Sequence, residues 1–474
     1  MMNTLFLHPP SFDGFDGGAG ARYQARREIR SFWYPTWLAQ PAALVEGSRL
    51  IDAPAEGLGV GDIAPLARQF DLIIMHTSSP SFPTDARMAE ILKAGNPDLL
   101  IGMVGARVAV DPQSSLAASP AIDFVAREEF DYTCRDVAAG KPLAAIAGLS
   151  HRSAAGHITH NPARPPLMNM DELPWVTPVY KRDLTIENYF IGYLQHPYVS
   201  FYTGRGCRSK CTFCLWPQTV GGHRYRVRSA QSVLDEVQWI KENLPQAKEI
   251  FFDDDTFTDF RPRVEEIARG LGRLGVTWSC NAKANVPYET LKVMKDNGLR
   301  LLLVGYESGN DQILHNIRKG LRTDIARRFT RDCRKLGITI HGTFILGLPG
   351  ETQHTIQETI RFAVEINPHT VQVSLAAPYP GTELYRQAVA NGWLTENAAI
   401  NLVNDQGVQL STISYPHLPA AEIYHGLETF YRRFYFRPRK IAELTAEMLT
   451  SWDLTKRRLR EGVEFFRFLR AHEA

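Results

Sequence analysis

The chain has 474 residues, of which 44% are hydrophobic and 22% are charged, as is usual for a globular protein. Its length is enough for roughly three domains, and its formal net charge of +2 gives no general reason to expect nucleic-acid binding. No apolar run approaches the roughly 18 residues of a membrane-spanning helix, and the first residues lack the features of a secretory signal. These properties predict a cytoplasmic protein.

Residues 1–150 alternate short apolar runs with helical patterns. This alternation favours a doubly wound, Rossmann-like domain with a parallel sheet, in which ligands bind at the carboxyl ends of the strands. A helix is predicted over 85–94. Strands are predicted over 4–7, 48–52, 71–75 and 99–104.

Residues 151–195 are rich in His, Asn and Pro, and include Pro162, Pro165, Pro166 and Pro174. Proline restricts both its own backbone and that of the preceding residue, so such a stretch favours turns over regular elements. We therefore predict a linker between the N-terminal domain and the domain that follows it.

Residues 196–394 repeat a unit in which a strand is followed by a helix with apolar side chains at helical spacing. Six such units predict a partial (β/α)6 barrel of the TIM-like type, with its site at the carboxyl ends of the strands. The remaining residues, 395–474, are predicted to be mainly helical. The barrel strands are predicted over 198–202, 249–252, 276–279, 300–304, 339–346 and 370–374.

Three cysteines, Cys207, Cys211 and Cys214, follow the first barrel strand with C-x3-C-x2-C spacing. Three thiolates can hold three corners of a four-iron cluster and leave the fourth iron open to a ligand. Zinc is an alternative, with His223 as a fourth ligand, although structural zinc sites usually take cysteines in pairs. A disulfide would leave one thiol over. The spacing therefore favours an iron–sulfur cluster.

Polar and glycine residues follow the second, third, fourth and fifth barrel strands. Each has a simpler interpretation, because carboxylates also cap helices and glycines also serve in turns. Their recurrence in order after the cysteine loop favours one cofactor site at the carboxyl edge of the barrel. The residues are Asp254, Asp255, Lys283, Glu307, Ser308 and Gly347.

The cysteine spacing, with Phe213 directly before the third cysteine, and the ordered strand-end residues resemble the radical S-adenosylmethionine (SAM) enzymes. The resemblance covers 196–385. It implies a [4Fe–4S] cluster on the three cysteines, with SAM bound to the open iron through its amino and carboxylate groups. It also implies a flavodoxin- or ferredoxin-type electron donor.

The same resemblance gives roles to the strand-end residues. Asp254 and Asp255 would lie near the amino group of SAM, and Glu307 and Ser308 near its ribose. Lys283 stands where many relatives have an arginine that contacts the carboxylate of SAM. Lysine keeps the charge at that position but lacks the bidentate geometry of arginine.

Residues 1–150 resemble the cobalamin-binding domains of one large class of radical SAM enzymes. The resemblance rests on segments 5–10, 34–42 and 49–54. The D-x-H-x-x-G motif that ligates cobalt in other cobalamin domains is missing from the sequence. The resemblance therefore implies cobalamin as a third cofactor, with a domain that no longer binds a corrin as the alternative.

A narrower resemblance, to the hopanoid-biosynthesis radical SAM proteins of the "J" type, rests on segments 9–34, 214–219 and 301–309. That family is linked to the cyclitol ether of bacteriohopanetetrol. The resemblance implies a hopanoid lipid substrate and a radical contraction of its glucosamine ring to a five-membered carbocycle. The alternative is cobalamin-dependent methylation of a carbon in a lipid or other apolar substrate.

Residues 430–440 carry five aromatic and five basic side chains. Segments that lie at a membrane surface use this combination, and a hopanoid substrate would reside in the bilayer. The segment is therefore predicted to bring the enzyme to the inner face of the cytoplasmic membrane. Alternatively, Phe430 and Phe434, one helical turn apart, pack on the barrel.

Overall fold

The computed structural model describes residues 1–10, 12, 31–153, 155–395 and 410–449, together with 455, 456, 459, 462 and 463. Most of segment 9–34, which carries part of the narrower resemblance, lies outside the described residues. Much of 395–474, which is predicted to be helical, also lies outside them.

An α/β sheet forms the N-terminal part of the molecule. Its described strands are β1 (Thr4–His8), β2 (Arg49–Asp52), β3 (Leu72–His76), β4 (Leu100–Val104), β5 (Phe124–Ala126), β6 (Leu149–Arg152) and β7 (Ile158–His160). They lie in the order β2-β1-β3-β4-β5-β6-β7. The first five run parallel, and the last two add antiparallel pairs at one edge. The predicted α/β architecture with parallel strands is therefore confirmed, and the antiparallel edge is an addition to it.

Both faces of this sheet are covered, which explains why its strands are apolar runs rather than alternating ones. Leu5 and Leu7 lie in one apolar cluster with Phe82. Phe6, on the opposite face, belongs to the cluster that contains Trp37 and the core of the second sheet. The helices are α1 (Thr36–Leu44), α2 (Ala53–Glu56), α3 (Val60–Ile63), α4 (Phe82–Gly95), α5 (Ala106–Val110), α6 (Pro112–Ala118) and α7 (Asp131–Ala138).

Residues 151–195 contain regular structure, so the predicted linker is wrong over much of its length. Strand β7 belongs to the first sheet, and α8 (Thr177–Asp183) packs against α1 and β2. Asp183 accepts a hydrogen bond from the backbone N–H of Leu50 at 2.8 Å. The proline content is compatible with this structure because Pro178 stands in the first turn of α8, where a missing N–H has little cost.

The second sheet is parallel and forms the core of the remaining chain. Its order is β8-β11-β12-β13-β14-β15, with parallel pairing throughout, which is the order expected of a partial (β/α)6 barrel. Its strands are β8 (Tyr198–Phe201), β11 (Glu249–Phe252), β12 (Trp278–Ala282), β13 (Leu299–Glu307), β14 (Thr339–Leu346) and β15 (Thr370–Leu375). A separate antiparallel pair is formed by β9 (Gly204–Arg205) and β10 (Arg226–Val227).

The third and fourth barrel strands differ most from the predicted ones. The third strand begins at Trp278 rather than at residue 276, and the fourth continues to Glu307 instead of stopping at 304. A bulge between Gly305 and Glu307 keeps β13 paired with β14. The helices that follow the strands are α9 (Leu215–Thr219), α10 (Ala230–Asn243), α11 (Arg261–Leu274), α12 (Tyr288–Asp296), α13 (Asp311–Asn316), α14 (Thr323–Lys335), α15 (Gln353–Ile366) and α16 (Glu383–Ala390).

Two C-terminal helices, α17 (Ala420–Tyr435) and α18 (Pro438–Met448), end the described part of the fold. The hydroxyl of Tyr431 accepts a hydrogen bond from Val373 N at 3.0 Å. The hydroxyl of Tyr435 accepts a hydrogen bond from Val371 N, also at 3.0 Å. Because β15 is the edge strand, these hydroxyls satisfy backbone donors that would otherwise be exposed.

Segment 430–440 is largely a packing element. Phe430 and Phe434 are buried in the main core, and the buried Lys440 donates to the carbonyl of Pro368 at 2.9 Å. The burial of Phe430 and Phe434 therefore agrees with the alternative that the segment packs on the barrel. Among the described residues, none of the helices has the length and apolar composition needed to cross a bilayer. The exposed side chains of the segment include Arg432, Arg433, Phe436 and Arg439.

Candidate functional site

The cysteine loop joins β9 to α9 at the carboxyl edge of the second sheet. Cys207 N donates to Gly222 O at 3.2 Å, and Cys214 N donates to Cys211 O at 3.3 Å. Gly206 has φ 84°, and a Cβ there would lie 2.4 Å from the carbonyl oxygen of Arg224. Only glycine fits at the entrance to this loop, because both the conformation and the space exclude a side chain.

Gln218 holds the loop from inside. Its Nε2 donates to the carbonyl oxygens of Cys211 and Thr212 at 3.2 Å each and of Cys214 at 2.8 Å. Its Oε1 accepts from the backbone N–H of Glu383 at 2.8 Å. One side chain therefore fixes the backbone at two of the three cysteines, and no feature of the cysteine spacing points to it.

The loop also contacts the segment between α13 and α14. Thr212 N donates to Ile317 O at 3.0 Å, and Leu384 N donates to Thr212 O at 2.9 Å. The carbonyl oxygen of Arg318 lies 3.9 Å from the sulfur of Cys211. Phe213 is partly buried against the main core. The loop is thus supported on several sides.

The zinc alternative receives no support from His223. This side chain is exposed, and its Nδ1 lies 3.0 Å from the carbonyl oxygen of Ser209. Within the described residues, no three His, Cys, Asp or Glu side chains converge closely enough to hold a single metal ion. Cys207, Cys211 and Cys214 carry no disulfide.

Charged residues at two strand ends and in one turn change the pKa values of the cysteine thiols. Burial raises the pKa of Cys211, and the ammonium groups of Lys319 and Lys283 oppose that rise. Burial and then the charge of Asp255 raise the pKa of Cys214. The fold therefore brings Asp255 and Lys283, both expected from the sequence, into electrostatic range of the cysteine loop. Lys319 joins them without having been predicted.

Asp254 has a different environment from Asp255. It is completely buried, and its Oδ2 accepts from the hydroxyls of Tyr225 at 2.6 Å and Thr203 at 2.7 Å. Asn281 Nδ2 donates to the Asp254 carbonyl at 2.8 Å. The hydrogen bonds of Asp254 thus join the ends of neighbouring strands. Asp255 is instead the carboxylate whose charge raises the pKa of Cys214.

Lys283 and Glu307 both form ion pairs at the carboxyl edge. The Nζ of Lys283 lies 3.0 Å from Oδ1 of Asp259. Oε1 of Glu307 lies 2.6 Å from the Nζ of Lys319. Glu307 has φ 64°, a left-handed conformation that non-glycine residues rarely adopt. Such strain at a strand end is often associated with a functional site.

Ser308 is buried and bonded within the protein. Its Oγ lies 3.1 Å from the hydroxyl of Thr359 and accepts from Asn310 N at 3.2 Å. These bonds tie the end of β13 to α15. The structure therefore gives Ser308 a role in orienting the Glu307 segment.

The loop after β14 is organised by a buried carboxyl group. Glu351 Oε2 accepts from Gly347 N at 2.6 Å and from Leu348 N at 3.1 Å. Burial raises the pKa of Glu351 to about 8, although these two hydrogen bonds oppose the rise. Tyr415 donates to the Gly347 carbonyl at 2.8 Å. Gly347 has φ 86°, so this tight turn requires glycine.

Three polar side chains of the first sheet, His8, Asp52 and His76, lie together at the switch point between β1 and β3, where open α/β sheets bind ligands. His8 Nδ1 lies 2.8 Å from Oδ1 of Asp52, and the rings of His8 and His76 are 6.3 Å apart. Burial lowers the pKa of His76 to about 3, and its Nε2 has no hydrogen-bond partner within the described structure. Gly105 lies against this group, since a Cβ there would meet Thr77 O at 2.2 Å.

The two sheets meet beside the cysteine loop. Trp37 of α1 stacks on Trp216 of α9 with ring centroids 5.0 Å apart. Arg205 donates from Nη2 to Oδ1 of Asp131 at 3.0 Å, and both side chains are buried. Because Trp216 follows Cys214 by two residues, this contact fixes the first sheet relative to the cysteine loop.

Two solved structures share the overall fold. The radical SAM methyltransferase TsrM from Kitasatospora setae, with cobalamin and a [4Fe–4S] cluster bound, is 15% identical and has a TM-score of 0.62. That match covers 81% of this chain and 77% of TsrM. The cobalamin-dependent radical SAM enzyme OxsB, with aqua-cobalamin and SAM bound, is 17% identical, with a TM-score of 0.61 over 91% of this chain and 61% of OxsB.

Sequence comparisons agree with the fold. A hopanoid C-3 methylase of Methylococcus capsulatus is 28% identical over 50% of this chain and 44% of its own length. An uncharacterized methyltransferase of Pyrococcus horikoshii is 31% identical over 93% of this chain and 94% of its own length. Residues 201–363 match the model of the radical SAM superfamily. The chain therefore belongs to the radical SAM superfamily and is a radical SAM enzyme.

Proposed function

We propose that Cys207, Cys211 and Cys214 hold a [4Fe–4S] cluster, with SAM bound beside it at the carboxyl edge of the second sheet. The observation that carries this proposal is a loop with three cysteines at the carboxyl edge, where Cys207 Sγ lies 3.6 Å from the hydroxyl of Thr256 and Cys211 Sγ lies 3.9 Å from the carbonyl oxygen of Arg318. Asp255 and Lys283, at two successive strand ends, act electrostatically on the thiols of this loop. A thiolate set of this kind suits iron–sulfur ligation. When bound and reduced, the cluster supplies the electron that cleaves SAM to methionine and a 5′-deoxyadenosyl radical.

The chain's own residues bind and orient SAM in this proposal. Lys283 attracts the carboxylate of SAM, and Asp255 attracts its amino group, because opposite charges stabilise each other strongly in a poorly hydrated site. Glu307 is fixed by Lys319 and accepts a ribose hydroxyl. The buried Glu351 would hold the turn at Gly347, which follows β14 at the same edge of the sheet.

For the reaction, the comparisons give more support to methyl transfer than to ring contraction. A relative that covers 93% of this chain is named a methyltransferase, and another relative is named a hopanoid C-3 methylase. We therefore propose cobalamin-dependent methylation of a carbon in an apolar substrate of the hopanoid class as the reaction. Cobalamin, when bound, supplies a carrier for the methyl group between SAM and the substrate.

The first sheet fits a corrin at its switch point. His76 is buried and neutral, and its Nε2 lacks a hydrogen-bond partner within the described residues. Gly105 leaves this point free of a side chain, since a Cβ there would meet Thr77 O at 2.2 Å and His76 Nε2 at 3.3 Å. His8, His76 and Asp52 would hold polar groups of the corrin side chains, while the Trp37–Trp216 stack fixes the sheet facing the cysteine loop.

Radical contraction of a hopanoid-linked glucosamine ring is the second candidate. It is favoured by the resemblance of segments 214–219 and 301–309 to the hopanoid-biosynthesis proteins of the "J" type. Those segments lie beside the third cysteine and at Glu307, so the resemblance involves the proposed site itself. The same cluster and SAM would serve either reaction.

Product mass separates the two reactions. Reconstituted protein is incubated without oxygen with a reductant, methyl-deuterated SAM and glucosaminyl bacteriohopanetetrol, with and without hydroxocobalamin. Methylation gives a product that carries the deuterated methyl group and requires the corrin. Ring contraction gives a product without label, and a corrin-independent product of that kind would overturn the methylation assignment. The variant with all three cluster cysteines changed to Ala serves as the control and should give neither product.

A further inference from the structure

The side chain of Lys319 is a cation enclosed among the groups of the proposed cofactor site. It lies in the turn between α13 and α14, where Arg318 and Gly320 have φ values of 55° and 66°. Lys319 N donates to Leu314 O at 3.0 Å, which closes the turn. As a result the Lys319 side chain points inward and is only 13% exposed.

Lys319 is paired with Glu307 at 2.6 Å between Nζ and Oε1. The backbone around the pair leaves no room for another side chain. A Cβ at Gly305 would lie 2.4 Å from Oε1 of Glu307 and 2.9 Å from Nζ of Lys319. The glycine in β13 is therefore what allows the pair to occupy the strand end.

The same ammonium group also acts on the cysteine loop. The turn that carries Lys319 contacts that loop directly, because Thr212 N donates to Ile317 O at 3.0 Å and the carbonyl oxygen of Arg318 lies 3.9 Å from the sulfur of Cys211. The charges of Glu307, Cys211 and Cys214 raise the pKa of Lys319, although burial opposes that rise. Lys319 is thus a cation shared by the strand-end carboxylate and by two of the three cysteines.

We propose that Lys319 is a positioning residue that raises the reduction potential of the cluster and holds Glu307 in place for its ligand. This inference rests on the proposed assignment of the three cysteines to the cluster. Reduction adds one negative charge to the cluster, and a nearby buried cation stabilises that charge with little screening by water. Glu307, as an anion in the same position, has the opposite effect.

The test is a redox titration of the reconstituted enzyme, followed by electron paramagnetic resonance of the reduced cluster. Lys319→Met should lower the equilibrium constant for reduction about tenfold, a shift of about 59 mV to more negative potential for a one-electron couple. Glu307→Gln should shift the potential in the positive direction. The double variant should return close to the wild-type value, because both charges are removed.

Arg322→Gln is the matched control. Arg322 is three residues from Lys319, carries the same charge and is 70% exposed, so its removal should leave the potential unchanged. Lys319→Met leaves Glu307 buried without its cation, and this variant could fail to fold. In that case Glu307→Gln and the double variant still decide the question.

A wild-type potential in both single variants, or shifts of the same sign in Lys319→Met and Glu307→Gln, would overturn the role of Lys319. Such results in a protein with a normal cluster leave the cluster assignment intact. A wild-type protein without a cluster signal, or a signal that survives replacement of all three cysteines by Ala, would instead contradict the assignment on which the inference rests.

Discussion

The side-chain amide of Gln218 donates to the carbonyl oxygen of Cys214 at 2.8 Å. The same nitrogen also reaches the carbonyls of Cys211 and Thr212, and Oε1 of Gln218 accepts from Glu383 N. The cysteine loop is therefore held in shape by one uncharged side chain in the helix that follows it.

Gln218→Ala should loosen the cysteine loop and reduce the amount of cluster that it retains. Each buried hydrogen bond of this kind contributes about 1 kcal/mol, and the carbonyl groups lose a common donor. The measurement is the iron and sulfide content per chain after anaerobic reconstitution. Gln231→Ala, a change on the exposed face of α10, is the matched control. Equal iron content in both variants would show that Gln218 does not hold the loop.

Glu351 should make the protein less stable as the pH rises. Its pKa in the folded state is raised from 4.5 to about 8 by burial, so the folded protein binds this proton more tightly than the unfolded chain does. Its contribution is therefore fully present below about pH 4.5 and is lost as the pH rises through about 8. The loss should amount to a few kcal/mol.

Chemical denaturation between pH 5 and 8 measures this effect. Glu351→Gln keeps an acceptor for Gly347 N but cannot ionise, so its free energy of unfolding should change less with pH than that of the wild type. Parallel pH profiles for the two proteins would mean that Glu351 is ionised in the folded state.

Hydroxocobalamin should bind at about one corrin per chain, measured by equilibrium dialysis, if the crevice at the switch point accepts a ligand. Gly105→Ala should abolish this binding, because a Cβ there would lie 2.2 Å from Thr77 O and the φ of 122° disfavours alanine. Gly140→Ala is the control, since it changes a glycine that also has positive φ but has open space around it. Absence of binding by the wild type would support a domain that no longer binds a corrin.

Contact with a membrane should depend on the exposed residues of segment 430–440 and not on its buried ones. Arg432, Arg433 and Arg439 are exposed, and Phe436 is 49% exposed. A cation near an anionic surface contributes about 1 kcal/mol. Changing the three arginines to Gln and Phe436 to Ser should therefore reduce co-sedimentation with anionic liposomes at low salt.

The control for that experiment removes three exposed charges elsewhere, with Arg269, Arg273 and Lys292 changed to Gln. It should sediment like the wild type. Wild-type protein that stays in solution at low salt, or equal sedimentation of both variants, would leave segment 430–440 with a packing role alone.

Much of the site could be predicted because local patterns determine it. The apolar runs of the barrel strands indicate where each strand ends, and polar residues at successive ends must share one edge. This reasoning located Asp255, Lys283 and Glu307. Gln218 and Lys319 were missed because a helix glutamine and a turn lysine have no distinctive spacing, and their roles depend on tertiary contacts.

The prediction of a linker over 151–195 was wrong in much of that range because proline content alone does not exclude helices. Proline excludes helix interiors but not the first turn of a helix, and Pro178 stands there in α8. The aromatic side chains of 430–440 show a similar ambiguity. Phe430 and Phe434 recur at the spacing of a buried helix face, and the structure places both in the core.

SAM cleavage in the absence of oxygen tests the central claim most directly. Wild-type protein and the single variants Cys207→Ala, Cys211→Ala and Cys214→Ala are incubated with SAM and a strong reductant, and 5′-deoxyadenosine is measured. Cys333→Ala, which removes a buried thiol of α14, is the control. The account predicts 5′-deoxyadenosine from the wild type and the control and none above background from the other three. Cleavage that survives loss of any one of these three cysteines would contradict it.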